Sequence, residues 1–157
     1  MKKISLLLFA ALMLQLTLVS AAFAKDTLFP GEKIRAGESL QSQNGRFTLV
    51  MQNDGNLVLY QDNSSAIWSV KTDNSMFEAN TFGFDGQAYL EGDYPFYKGV
   101  NWISSNYNWT ERSGRVPSGT NYYGDFLVVQ GDGNVVIYNT DNPNDVYPVW
   151  ASDTGGR

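Results

Sequence analysis

The sequence contains no cysteine and no histidine among its 157 residues. The missing cysteine excludes disulfides, cysteine-based metal sites and lipid attachment at a lipobox cysteine. The missing histidine removes the commonest general base and the commonest metal ligand of proteins. The composition therefore predicts neither a metal nor another cofactor, and it leaves paired carboxylates as the main catalytic chemistry still open.

Basic side chains are also scarce. The chain has 11 lysines and arginines against 16 aspartates and glutamates, which gives a net charge of −5. Two of the lysines lie in the first 24 residues, which contain no acid, so the remainder is more acidic still. An acidic surface repels nucleic acid and anionic lipid, and the sequence predicts neither as a partner.

Long apolar runs are confined to the N-terminus. Two lysines precede an apolar stretch over residues 4–19, and Ala22-Phe23-Ala24 supplies an A-x-A cleavage site. The stretch is short for a membrane span, so residues 1–24 are predicted to be a secretory signal peptide rather than an anchor. Residues 25–157 would form one domain, secreted or periplasmic, with no stable membrane insertion after cleavage.

Helical periodicity is hard to find in the remainder. Short apolar runs alternate with clusters of Gly, Asn, Asp and Pro, and the chain has 15 glycines, 9 tyrosines and 9 phenylalanines. This pattern is typical of an all-β protein.

One motif occurs twice and is damaged in a third copy. Residues 52–60 read QNDGNLVLY and residues 130–138 read QGDGNVVIY, which share Q-x-D-x-N-x-V-x-Y. Residues 83–91, GFDGQAYLE, retain only the acid, Asp85. A tryptophan follows each copy, at Trp68, Trp102 and Trp150. Three copies with one tryptophan each predict a pseudo-threefold body.

The spacing of the copies predicts an insertion. Successive copies begin 31 and 47 residues apart, and the segment Asn101–Tyr123 is rich in Asn, Ser, Gly and Tyr. We expect the extra residues there. For Trp109, which lies in this segment, a core position and an exposed position remain equally open.

Asp-Gly between alternating apolar runs predicts a β-hairpin. With a three-residue loop Asn53-Asp54-Gly55 and Gly55 in the left-handed conformation, Gln52 faces Asn56 and Thr48 faces Tyr60. Alternation then divides the side chains between two faces of the sheet. The polar face carries Gln52, Asn56, Val58 and Tyr60, with Asp54 at the tip, and in the other intact copy Gln130, Asn134, Val136 and Tyr138, with Asp132 at the tip. The core face carries Leu49, Met51, Leu57 and Leu59, and correspondingly Leu127, Val129, Val135 and Ile137.

The polar face suits a neutral, hydroxylated ligand. Carboxylates accept hydrogen bonds from hydroxyls, amides both donate and accept, and valine covers a C–H patch. A merely solvated strand face is the plain alternative for one copy, but two identical patterns disfavour it. One such site would bind weakly, on the order of millimolar, so useful affinity would come from several sites together.

The repeated motif and the segments Asp26–Glu32 and Asn44–Met51 resemble the bulb-type (monocot) mannose-binding lectins. The resemblance implies a β-prism II fold, with three antiparallel four-stranded sheets around a pseudo-threefold axis and the three tryptophans in the core. It implies carbohydrate-binding residues that recognise mannose or a mannose-like sugar on glycans or cell-surface polysaccharide: Gln52, Asp54, Asn56, Val58, Tyr60, Gln130, Asp132, Asn134, Val136 and Tyr138. The middle copy is expected not to bind. The family often dimerises by exchanging C-terminal strands, which makes residues 148–154 a candidate for a homodimer contact.

Other functions are weighed against a non-enzymatic lectin. Lectin-like bacteriocins resemble tandem pairs of this domain, whereas here there is one. A protein-interaction module with vestigial sugar sites is disfavoured by the two complete motifs. An enzyme is disfavoured because Asp54 and Asp132 lie in separate repeats, and the motif places no second carboxylate beside either.

Overall fold

The computed structural model describes residues 24–73, 78–93, 98–114, 121–142 and 144–156. The predicted signal peptide lies outside these residues apart from Ala24, and so does the part of the predicted insertion at 115–120. The described residues form these elements: β1 (Thr27–Leu28), β2 (Lys33–Arg35), β3 (Ser39–Gln41), β4 (Phe47–Met51), β5 (Leu57–Gln61), β6 (Ser65–Ser69), β7 (Ala79–Phe84), β8 (Ala88–Asp93), β9 (Lys98–Ile103), α1 (Asn106–Ser113), β10 (Phe126–Val129), β11 (Val135–Asn139) and β12 (Tyr147–Ala151).

The strands form three antiparallel four-stranded sheets. The first sheet has the order β3-β4-β5-β6, the middle sheet β2-β7-β8-β9 and the third sheet β1-β10-β11-β12. One edge strand of each sheet, β1, β2 or β3, comes from the N-terminal segment, and the other three strands come from one repeat. The N-terminal segment therefore pairs with all three repeats. The arrangement confirms the predicted all-β fold, a β-prism II with pseudo-threefold symmetry.

The motif forms a hairpin in the register that the alternation predicts. Thr48 pairs with Tyr60 and Val50 with Val58 across β4 and β5. The Gln52 N–H donates to the Asn56 carbonyl at 2.9 Å, which closes the three-residue loop. Gly55 has φ +85°, the left-handed conformation that glycine adopts without steric cost. The third sheet repeats this geometry, with Val128 paired to Val136 and Phe126 to Tyr138.

The inward faces of the three sheets form the core. The alternate residues that the motif assigns to that face are fully buried in all three repeats. Burying a side chain of this size contributes about 1.5–3 kcal/mol. The largest buried side chains are Phe47, Phe82, Phe84, Leu28, Leu40, Leu49, Met51, Leu57, Leu59, Leu90, Leu127 and Ile137.

The three repeat tryptophans meet one another. The ring centroids of Trp68, Trp102 and Trp150 lie 5.9–6.5 Å apart, each pair edge to face. Such pairs add about 0.5–1.5 kcal/mol beyond the area they bury. The predicted core position is correct for Trp150, which is 7% exposed, but Trp68 and Trp102 are only half-buried against the core. Contact at the symmetry axis therefore does not require full burial of each ring.

Helix α1 is an element that the sequence pattern did not predict. It lies within the predicted insertion and ends at Gly114, which is left-handed with φ +62°. Trp109 on this helix is 2% exposed, and its indole N–H donates to Asp153 Oδ2 at 3.0 Å. Of the two positions left open for Trp109, the structure shows the core position. No helix in the described part of the chain is long and apolar enough to cross a membrane.

Candidate functional site

The outer face of the first sheet holds a cavity of about 390 Å³. Four of the five predicted residues line it: Gln52, Asn56, Val58 and Tyr60. β6 and Lys71 supply the remaining wall. Gln52 Nε2 donates to the Tyr60 hydroxyl at 2.8 Å, which joins the two polar side chains across the hairpin. Alternation along β5 thus brings the predicted side chains to one place, as the sequence predicts.

Asp54 lies at the exposed tip of the hairpin. Its Oδ1 accepts the Asn56 backbone N–H at 3.0 Å, so the carboxylate is held by the turn that it helps to form. This bond engages one carboxylate oxygen. The second oxygen, Oδ2, accepts no hydrogen bond from the described residues, and it is available as an acceptor for a ligand hydroxyl.

The orientation of the Asn56 amide is determined by the chain that follows β6. Asn56 Oδ1 accepts the backbone N–H groups of Lys71 and Thr72 at 3.0 and 3.3 Å. Two donors that converge on one atom require that atom to be the oxygen. Asn56 is 8% exposed, and its Nδ2 group is therefore left as a donor on the cavity side.

A segment after each tryptophan supports its own hairpin turn. The third residue after each tryptophan is left-handed: Lys71, Ser105 and Asp153 have φ between +53° and +62°. The fourth residue donates to the carbonyl of the turn glycine: Thr72 to Gly55 at 2.7 Å, Asn106 to Gly86 at 2.9 Å and Thr154 to Gly133 at 2.6 Å. We did not predict these supporting residues from the sequence. Their constant distance from each tryptophan is the signal that would have found them.

The third sheet reproduces the site. Gln130 Nε2 donates to the Tyr138 hydroxyl at 2.9 Å, and Asp132 Oδ1 accepts the Asn134 N–H at 3.0 Å. Asn134 Oδ1 accepts the Ser152 hydroxyl at 3.0 Å and the Thr154 N–H at 3.3 Å. Val136, like Val58, is buried. The glutamine–tyrosine and aspartate–asparagine hydrogen bonds are therefore the same in the two complete motifs, within about 0.1 Å at the glutamine–tyrosine pair. The asparagine oxygen also accepts two hydrogen bonds in each, from two backbone N–H groups in the first and from one hydroxyl and one N–H in the third.

The two sites present donors and acceptors in alternation. Once the internal bonds are made, each retains a carboxylate acceptor, an amide donor, a tyrosine hydroxyl and a glutamine carbonyl. These groups match a hydroxylated ligand, in which each hydroxyl both donates and accepts. In the described residues no cluster of three or more acidic side chains could hold a metal ion.

The corresponding face of the middle sheet is occupied by its own side chains. The middle hairpin has a loop of three residues, 85–87, where the first has five, 52–56, so the strand register leaves no position for the motif glutamine. Gly83 instead pairs with Tyr89 as Val50 pairs with Val58, and a Cβ at Gly83 would lie 2.4 Å from the Tyr89 ring, so the tyrosine occupies the space. Glu91 replaces the motif tyrosine and forms ion pairs with Lys33 at 3.6 Å and Lys98 at 3.4 Å. A hydrogen bond with Tyr89 raises the pKa of Lys33. This packing is a physical reason to expect no sugar at the middle copy.

Comparison with known proteins finds resemblance at the level of structure. No family model and no curated protein matches the chain. Among solved structures, the monomeric monocot mannose-binding lectins of Gastrodia elata are 31% identical, with a TM-score of 0.58, over 83% of this chain and 99% of theirs. A lectin of Marasmius oreades is 26% identical, with a TM-score of 0.59, over 84% of this chain and 93% of that one. A lectin of Allium sativum is 25% identical, with a TM-score of 0.55, over 74% of this chain and 96% of that one.

Proposed function

The chain belongs to the bulb-type (monocot) mannose-binding lectin family, and on this premise we propose that it binds mannose or a mannose-like sugar without catalysis, through the two complete motifs. The observation that carries the proposal is the matched hydrogen bonding of the two sites. Both hold an asparagine by its oxygen and leave its amide N–H for a ligand.

Each residue has a distinct role in the proposed sites. Asp54 Oδ2 accepts from one sugar hydroxyl, and Asn56 Nδ2 donates to the neighbouring one. Tyr60 and Gln52 complete the polar contacts, and Val58 lies under the C–H surface of the ring. The equivalent residues of the third sheet do the same. With about 0.5–1.5 kcal/mol per neutral hydrogen bond, one site reaches about −4 kcal/mol, or roughly millimolar.

Because each single site binds weakly, useful affinity requires a target that presents several copies of the sugar. Two sites on one chain let the second contact form at a raised effective concentration. Glycans and cell-surface polysaccharide present such repeats. A homodimer formed by exchange of β12 would double the sites, although β12 pairs with β11 of its own chain in this structure. Light scattering of the purified protein measures that oligomeric state.

The proposal includes export before binding. Cleavage of the predicted signal peptide after Ala24 would leave a chain that begins at Lys25. Mass spectrometry of protein recovered from the periplasm or the medium tests this directly. Recovery of a chain that retains residues 1–24 would contradict the predicted cleavage.

The test of sugar binding uses the residues at the hairpin tips. We expect the protein to be retained on immobilised mannose and eluted by free mannose but not by galactose. The double variant Asp54→Ala and Asp132→Ala should lose retention, because each site loses its carboxylate acceptor. Asp85→Ala, in the occupied middle copy, is the matched control and should be retained. Unchanged retention of the folded double variant would refute the site assignment.

A further inference from the structure

A second cavity lies beside the first on the outer face of the first sheet. It measures about 190 Å³ and is lined by Thr48, Val50, Tyr60 and Asn63. Tyr60 lines both cavities, so its side chain forms the wall between them. A ligand held in the larger cavity therefore has this smaller one directly next to it.

The second cavity has one polar and one apolar wall. Thr48 Oγ1 donates to Asn63 Oδ1 at 3.0 Å and accepts from Gln41 Nε2 at 3.3 Å. The Asn63 amide nitrogen then remains as a donor, and Asn63 is held at φ +55° in the turn before β6. Val50 and the Tyr60 ring form the apolar side. A hexose needs both kinds of surface, because its hydroxyls form its edge and its C–H groups form its faces.

The third sheet fills the equivalent space. Phe126 faces Tyr138 in the position that Thr48 occupies opposite Tyr60. The Phe126 ring lies 5.5 Å from the Tyr138 ring and 6.4 Å from the Phe29 ring, centroid to centroid. Three residues after the motif tyrosine, where the first sheet has Asn63, the third has Asp141, whose Oδ2 already accepts from Asn121 at 2.9 Å and Asn139 at 3.2 Å.

We propose that the cavity of Thr48, Val50, Tyr60 and Asn63 receives a second hexose, linked to the one in the adjacent pocket. The first sheet then recognises a disaccharide, whereas the third sheet recognises a single terminal sugar. This inference rests on the proposed mannose binding at the two motifs. The residue opposite the motif tyrosine, Thr48 or Phe126, then determines whether a sheet binds the disaccharide or the single sugar.

The experiment measures each site alone. Asp132→Ala leaves the first site and Asp54→Ala leaves the third-sheet site, and NMR titration gives the Kd of each. The ligands are methyl α-mannoside and α-linked mannobioses of different linkage. With only the first site present, at least one mannobiose should bind about tenfold more tightly than the monosaccharide, as two added hydrogen bonds allow. With only the third-sheet site present, no mannobiose should bind more tightly than methyl α-mannoside.

A substitution should then give the first site the ligand preference of the third-sheet site. In the Asp132→Ala background, Thr48→Phe places in the first sheet the residue that the third sheet already holds, and it should remove the mannobiose gain while methyl mannoside binding stays. Thr81→Phe, at the equivalent position opposite Glu91 on the middle sheet, is the matched control and should change neither Kd. If Thr48→Phe does not fold, Asn63→Gly suits the left-handed backbone and should also reduce the gain.

The outcomes separate this inference from the function on which it rests. Equal affinity for mannobiose and methyl mannoside at the first site overturns the second subsite and leaves the lectin function standing. A gain that persists in folded Thr48→Phe overturns the assignment as well. Absence of methyl mannoside binding at both sites overturns the proposed function, and the disaccharide inference with it.

Discussion

The Asn56 amide performs two tasks that one substitution separates. Its oxygen accepts two backbone N–H groups, and its nitrogen faces the cavity. Asn56→Asp retains the accepting oxygen and replaces the cavity-side donor by a second acceptor. We therefore expect the fold to remain and sugar binding to be lost.

The magnitude follows from the hydrogen bonds. On the ligand side, Asn56→Asp removes one donor and leaves a sugar hydroxyl oxygen facing a carboxylate, a loss of about 2 kcal/mol, or about thirtyfold in Kd. On the protein side, both N–H bonds persist, so the melting temperature should change little. Asn56→Ala instead leaves two part-buried N–H groups without their acceptor, at about 1 kcal/mol each. That loss corresponds to a fall in melting temperature of roughly 6–8 °C.

The assay pairs affinity with thermal stability. The double variant Asn56→Asp and Asn134→Asp changes both sites and should pass unretained through immobilised mannose with a near-native melting temperature. Gln87→Glu makes the same chemical change at the middle copy and serves as the control, which should still be retained.

Either half of the reasoning can fail separately. Retention of the double aspartate variant would mean that the asparagine nitrogen does not contact the sugar. A melting temperature as low as that of Asn56→Ala would mean that the oxygen is not the atom that holds Lys71 and Thr72.

Two further predictions concern the turn and the middle sheet. Gly133→Ala should lower the free energy of unfolding, measured in urea, by about 2–4 kcal/mol, because φ is +89° and a Cβ would lie 2.6 Å from Phe47. Gly31→Ala, with φ +86° and open space, should lose only about 1 kcal/mol, and equal losses would contradict a role for Phe47. Restoring the motif on the middle sheet should create a third site, so that titration with methyl α-mannoside changes the NMR chemical shifts of middle-sheet residues. If a folded variant shows no such change, the native side chains of the middle sheet are not what prevents binding. The restoration takes the replacement of the three-residue loop 85–87 by the five residues of 52–56, together with Tyr89→Val and Glu91→Tyr.

The features that could be predicted from the sequence depend on interactions between residues that are close along the chain. The pairing of Thr48 with Tyr60 and the left-handed Gly55 follow from a period of two and an Asp-Gly turn, which involve neighbours along the chain. The three sheets follow from three copies of that hairpin. Helix α1 was missed because Ser105, before its first turn, makes no side-chain cap and the first turn has no acid, so the usual start signals are lacking.

The sequence by itself determined which side chains share the outer face of each hairpin, because alternation along a strand is a property of the backbone. Only the tertiary structure decided what those side chains are free to do. Lys71 and Thr72 orient the Asn56 amide, Tyr89 covers Gly83, and Phe126 fills the space that remains open beside Thr48. These contacts join separate strands and turns, and their geometry exists only once the sheets have closed around the common core.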